Sequence, residues 1–278
     1  MKKGFFKFTG LVILFVCANT LVNAQTADKI NVVSTAVPFL RISPDARSGG
    51  MGDVGIAIAS DANAVFWNRA KVPFAPMAGG VVVTYTPWLK DLGLNDVYLA
   101  SLGGYYQLDD NQAISTSLRY FSLGNIQFTN DRGDALTTSN PREFAIDLGY
   151  SRKLSSKSGL GIALRYINSS LAKGYIPNTS GGGTTYKAGS TVAADLSYYY
   201  HGLDDAGQGF TFGATLSNLG GKIAYTSDAQ KDYIPANLGV GVAYTKVFDE
   251  DSKITFGLDL NKLLVPSVPT RDGNTLAD

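Results

Sequence analysis

The chain has 278 residues, a formal net charge of +1, 17% charged residues, and many Gly (31), Tyr (15) and Phe (14). A near-neutral balance gives no sign of a nucleic-acid partner. One Cys and one His exclude a disulfide framework and a His/Cys zinc site.

Residues 1–24 read as a signal peptide. Lys2, Lys3 and Lys7 form a basic start, residues 11–18 an apolar run, and Val22-Asn23-Ala24 a cleavage site. Cleavage removes three Lys and no acid, leaving 21 basic and 23 acidic residues, formally −2. It also removes Cys17, whose neighbour Val16 is too bulky for lipoprotein processing. No later stretch holds about 18 consecutive apolar residues, so no transmembrane helix is expected.

Residues 25–78 read as an N-terminal periplasmic or plug segment. Over 35–78 strand alternation is not sustained, yet apolar residues are too frequent for a disordered tail. Gly49-Gly50-Met51-Gly52 marks a turn, and a short helix over 62–67 is expected with Ser60 or Asp61 as its cap. This segment packs at the mouth or inside of a barrel, or else forms a small periplasmic subdomain.

From residue 79 onward the pattern is that of strands. Expected strands cover 79–86, 96–108 and 112–123, then a hairpin over 142–167, then 190–200, 209–218, 236–247 and 253–260. The hairpin shows the pattern best. Phe144, Ile146, Leu148 and Tyr150 fall on one face of its first arm, and Ala145, Asp147, Gly149 and Ser151 on the other. The second arm places Leu160, Ile162, Leu164 and Tyr166 opposite Gly161, Ala163 and Arg165. A polar turn over 153–158 joins them. Each arm is about ten residues, the length of a tilted strand that crosses a bilayer. Aromatics such as Tyr105, Tyr120, Tyr150, Tyr166 and Tyr200 gather near strand ends, as at a membrane–water interface.

A soluble sandwich also alternates, so the connections are the stronger signal. From the second one on they alternate between short and long, as in outer-membrane barrels with short periplasmic turns and long outer loops. The fold class expected is therefore all-β, an antiparallel transmembrane β-barrel of the outer membrane over residues 79–278. The first strand runs outward, which puts the N-terminal segment on the periplasmic side. Nine strands is an odd number, so the chain is expected to hold the N-terminal part of a longer barrel, the alternative being a strand missed or overcounted, with the weak first strand as the candidate.

With apolar residues facing lipid, the lumen receives Arg119, Asp147, Arg165, Asp195 and Asp259. The first four alternate in sign on neighbouring strands. They form a salt-bridge ladder that fixes register, or else line a conduction path. The long loops carry Ile126, Phe128, Tyr175, Ile176, Tyr225, Tyr233 and Ile234, which either anchor partners or pack loop on loop.

No catalytic, cofactor or metal constellation emerges. His201 reads as a solvated turn residue. Asp109-Asp110 and Asp204-Asp205 sit in turns, and Gly181-Gly182-Gly183 opens no helix that would cradle phosphate.

The stretch Pro44-Asp45-Ala46-Arg47-Ser48-Gly49-Gly50-Met51-Gly52-Asp53-Val54-Gly55, followed by Ala64-Val65-Phe66-Trp67-Asn68, resembles the PorV (LptO) family of type IX secretion proteins. Arg69 stands where that family's W-N-P-A motif has Pro. The resemblance runs through the strands to Leu260. It implies a FadL-like outer-membrane barrel of fourteen strands, with this chain holding about the first nine, and a non-enzymatic role. Family members accept cargo from the SprA/Sov translocon by the cargo's C-terminal signal domain. They pass it to the attachment complex of the PorU sortase with PorQ and PorZ. Outer-membrane lipid and lipopolysaccharide are the implied surroundings. A role in lipopolysaccharide deacylation has been attached to the LptO name, but the sequence supplies no nucleophile and base for it. The alternatives are a FadL-like transporter of hydrophobic molecules and a porin-like channel.

Overall fold

The computed structural model describes residues 34–266 except 130–131, 173, 178–182, 227–230 and 250; the side chains of 136–137 and 175–177 also lie outside the description. The expected signal peptide therefore lies outside the described residues.

Nine long strands form one antiparallel sheet. They are β1 (Gly79–Pro87), β2 (Val97–Asp109), β3 (Gln112–Leu123), β6 (Arg142–Ser155), β7 (Ser158–Ser170), β10 (Gly189–Leu203), β11 (Gly209–Gly220), β12 (Asn237–Val247) and β13 (Lys253–Leu263). Each pairs with the next in that order, and β1 and β13 are the two free edges among the described residues. Two small hairpins sit in long loops: β4 (Ile126–Thr129) with β5 (Ala135–Ser139), and β8 (Gly174–Pro177) with β9 (Gly183–Tyr186). Strand ends agree with the sequence pattern to within about three residues, as expected when burial follows a period of two. The central turn is tighter than the polar run suggested. Ser155 pairs with Ser158, so the strands continue into that run.

The sheet is apolar on its outer face. Val81, Val83, Leu148, Leu164, Val192, Phe210, Phe256 and Leu260 are all exposed, while the alternate positions Ala145, Asp147, Ala163, Arg165 and Thr211 are buried. A water-soluble sheet would bury the first set. This inverted arrangement suits a sheet whose outer face meets hydrocarbon. No helix among the described residues is long and apolar enough to cross a membrane.

Residues 35–78 lie along the inner face and explain why it is covered. The segment begins at the long-loop end, where Ala36 N donates to Tyr233 O at 2.9 Å. It finishes at the short-turn end, where Gln107 Nε2 donates to Ala75 O at 3.0 Å. It therefore runs the height of the sheet instead of remaining on the short-turn side, as strand direction alone suggested. Two apolar clusters flank its course. At the long-loop end Val37, Phe39 and Leu40 pack with Leu99, Phe121, Ile167, Ile223 and Ile234. Nearer the short turns Val65, Val72 and Ala75 pack with Tyr105 and Ala113.

Local chemistry shapes the segment. α1 (Ala46–Gly50) is capped by Asp45, whose Oδ1 accepts from Ser48 N at 2.8 Å. The other oxygen of Asp45 accepts from Trp67 Nε1 at 2.6 Å. α2 (Ala64–Trp67) starts two residues later than expected, with Asn63 as its cap residue rather than Ser60 or Asp61. Asp61 supports that turn from outside, accepting from Asn63 N at 2.9 Å. A 3-10 turn, Arg69–Phe74, follows and lies against β6, β7 and β10.

The indole of Trp67 lies flush on Gly55, where an added Cβ would come within 2.2 Å of a ring carbon. Gly55→Ala is therefore expected to cost about 1–3 kcal/mol through overpacking. The readouts are a lower thermal midpoint in detergent and faster trypsin cleavage at the exposed Arg47. If neither changes, Asp45 does not clamp the indole.

Candidate functional site

The centre of the inner face is an ionic layer contributed by four chain segments. Asp147 on β6 stands directly across from Arg165 on β7. Their side chains meet at 3.2 Å, and Arg165 Nη2 reaches Asp195 Oδ2 on β10 at 2.7 Å. Arg69, from the N-terminal segment, completes the layer. Its Nη2 donates to Asp147 Oδ1 and its Nη1 lies 3.5 Å from Asp195 Oδ2. Two guanidinium groups thus bridge two carboxylates, and the cluster is neutral.

Neutral donors and acceptors fill the remaining valences. Ser117 Oγ donates to Asp147 Oδ2 at 2.9 Å, and Arg69 Nε donates to Ser115 Oγ at 3.2 Å. A register irregularity between β10 and β11 brings in Asn218. This residue adopts the left-handed conformation, with φ 58°. Its backbone N donates to Asp195 Oδ1 at 2.7 Å, and its side-chain oxygen accepts from Arg165 Nη1. Removing charges from water is costly, and it is tolerated where every valence is met. The approach of Arg69 also needs space on the sheet. A Cβ at Gly149 would sit 2.5 Å from Arg69 Cδ.

Two of the expected lumen charges act differently. Arg119 makes no ion pair among the described residues. It stands opposite Ala145, two residues from the Asp147 level, because β3 pairs with β6 in the register Ser117↔Asp147. Its guanidinium instead donates to Leu40 O at 2.9 Å and Phe66 O at 3.3 Å, and lies over the Phe66 ring. Asp259 on β13 holds backbone, accepting from Gly55 N at 2.8 Å and Ile56 N at 2.9 Å. Both charges therefore bind the N-terminal segment rather than a neighbouring strand.

Sequence reasoning passed over several of the segment's own contacts. Arg69 was legible only as a departure from a motif. Lys71, almost fully buried, donates to Ile58 O at 3.2 Å and to Gly55 O. Burial pushes its ammonium down to about 8. Asn68 Nδ2 donates to Ile56 O and to Tyr198 O, both at 3.0 Å. A polar residue inside an apolar segment was the available signal in each case.

The loop residues divide. Ile126 and Tyr233 are exposed, Phe128 is half-buried on β4, and the side chains of Tyr175 and Ile176 lie outside the described residues. Tyr225 is half-buried, and its hydroxyl donates to Ser169 Oγ at 2.9 Å. Ile234 is only 2% exposed, so it serves the core at the long-loop end and is not a surface anchor. His201 is in β10 and stacks on Phe74 at 5.2 Å, so it is a packed strand residue rather than a solvated turn residue. Among the described residues no group of His, Cys, Asp and Glu is arranged to hold a metal.

The sequence model of the family described as "Type IX secretion system protein PorV" matches residues 24–270. That span is most of the chain, so the chain belongs to this family, and its role lies with the type IX secretion machinery. No curated protein matches the chain.

Asp147→Asn leaves Arg69 and Arg165 short of a carboxylate in a buried place, at an expected cost of about 3–5 kcal/mol. Asp195→Asn is expected to cost less, because that side chain is 15% exposed. Unfolding in detergent measures both. Arg69→Gln combined with Asp147→Asn should cost less than the sum of the two singles; strict additivity would show that the pair is not coupled.

Proposed function

We propose that this protein is an outer-membrane component of the type IX system that carries cargo. It would receive secreted proteins by their C-terminal signal domain from a SprA/Sov translocon. It would then pass them to the attachment complex of PorU, PorQ and PorZ. The observation that carries this reading is the family match across residues 24–270. Export by the expected signal peptide and the apolar outer face of the sheet support the location.

The long-loop end supports a docking role. Exposed Ile126 and Tyr233 and half-buried Phe128 lie on loops fixed to a rigid sheet. The Tyr233 ring also carries Lys222 Nζ at 4.0 Å. The inner face favours this reading over a conduit for hydrophobic molecules. Among the described residues segment 35–78 covers that face, as a plug would, and the ionic layer at its middle would interrupt an apolar path for an acyl chain.

The test is to tag the full chain, extract it in mild detergent and identify what comes with it. A very large barrel protein, a sortase-like protein and exported proteins sharing a C-terminal domain are the expected companions. A clean preparation carrying bound lipid or fatty acid and no protein would overturn the reading in favour of the transporter. Ile126→Asp with Tyr233→Ala is expected to reduce recovered cargo by about tenfold if these residues are anchors. Undiminished recovery from a folded variant would remove this surface from the site.

A further inference from the structure

A cavity of about 90 Å³ lies between the N-terminal segment and the strands, beside the ionic layer. It is well above the space that one water needs. Arg119 lines it, with Arg41, Arg69 and Arg165; the carboxylates on its wall are Asp53 and Asp195. Arg41 is exposed, which places it at the opening.

Arg119 is the unresolved charge in this region. The charged groups that act on it are Arg165, Asp147, Asp195 and Arg69. These are the four members of the ionic layer, and they already cancel among themselves. Arg41 faces Asp53 and adds no net charge. Arg119 is only 5% exposed and makes no ion pair among the described residues; the buried carboxylate nearest along the sheet, Glu143, stands two residues from its partner Ala145 and accepts from Ser169 Oγ. Its Nη1 and Nη2 are used on the carbonyls of Leu40 and Phe66, which accept hydrogen bonds but do not cancel charge. Its Nε is buried and has no acceptor among the described residues. A buried cation that forms no ion pair among the described residues and a buried donor without an acceptor are both costly. Water would satisfy the donor alone, whereas an anion satisfies both.

We propose that this cavity binds a small oxyanion of phosphate size, held by the Arg119 guanidinium and approached past Arg41. Guanidinium suits the planar edge of such an anion, and enclosure strengthens the contact. The anion is either free phosphate or the phosphate of a head group whose substituent leaves past Arg41. This proposal does not depend on the cargo-carrying reading, since it concerns the inner face and not the loops.

The full chain, purified in mild detergent at low ionic strength without phosphate, is titrated calorimetrically with inorganic phosphate, glycerol phosphate and chloride. Saturable binding of phosphate in preference to chloride is expected. Tighter binding of glycerol phosphate would assign a head group, and phosphate alone a free ion. Arg119→Gln is expected to weaken phosphate binding by about tenfold or more, because it removes a charge-assisted contact. Asp53→Asn removes a negative wall and touches none of the segment's hydrogen bonds to Arg119, so it is expected to tighten binding several-fold. The proposal fails if the wild type shows no saturable phosphate binding, or if folded Arg119→Gln binds as tightly. Should Arg119→Gln not fold, an unchanged affinity in Asp53→Asn overturns it.

Discussion

The structure depends on neutralising charge on the inner face of a sheet whose outer face is apolar. An inverted sheet gives its polar residues no bulk water to face, so they must satisfy one another. Asp147 and Asp195 carry two negative charges, and Arg165 supplies only one positive charge from the strands. Arg69 provides the second, and it comes from the N-terminal segment. Docking of the segment and pairing of β6, β7 and β10 are therefore one event electrostatically. A one-residue slip of β6 or β10 would turn Asp147 or Asp195 outward and take a carboxylate from Arg69, and a slip of β7 would turn Arg165 outward and leave both carboxylates short of a cation.

Around this layer the interior is graded. An apolar cluster closes the long-loop end and another lies toward the short turns. The clusters hold the segment by burial, which is not directional. The ionic layer, the carbonyl contacts of Arg119 and Lys71, and the backbone N–H groups held by Asp259 fix its register along the sheet. Burial thus holds the segment in place, and hydrogen-bonding geometry sets its position. The loop containing Ile223 and Ile234 folds down onto the same segment, so the long-loop end has an inner layer committed to packing and an outer layer left exposed.

That division bears on function. The carrier role proposed here needs a surface that can be engaged and released while its support remains rigid. Ile126 and Tyr233 belong to the exposed layer, and Ile234 to the support. The family match joins this architecture to type IX secretion. The Arg119 cavity lies below that surface, within the support.

The sequence by itself determined the strands and their faces. Alternation has a period of two and is local, so β6 and β7 could be read directly from Phe144 to Tyr166, as could the apolar outer face and the inward direction of Asp147 and Arg165. The alternation of short and long connections was local in the same sense. Which charge meets which was a matter for the tertiary structure. Arg69 and Asp147 are 78 positions apart, and Asp259 meets Gly55 across 204. No periodicity spans such distances. Arg119 shared the inward face with Asp147 but lay at another level, which only the β3–β6 register could show. Ile234 looked like an exposed loop residue because loop sequences do not reveal whether they fold back onto a core. Composition and period fixed which side of the sheet each residue takes, and through-space packing of a distant segment fixed what it touches there.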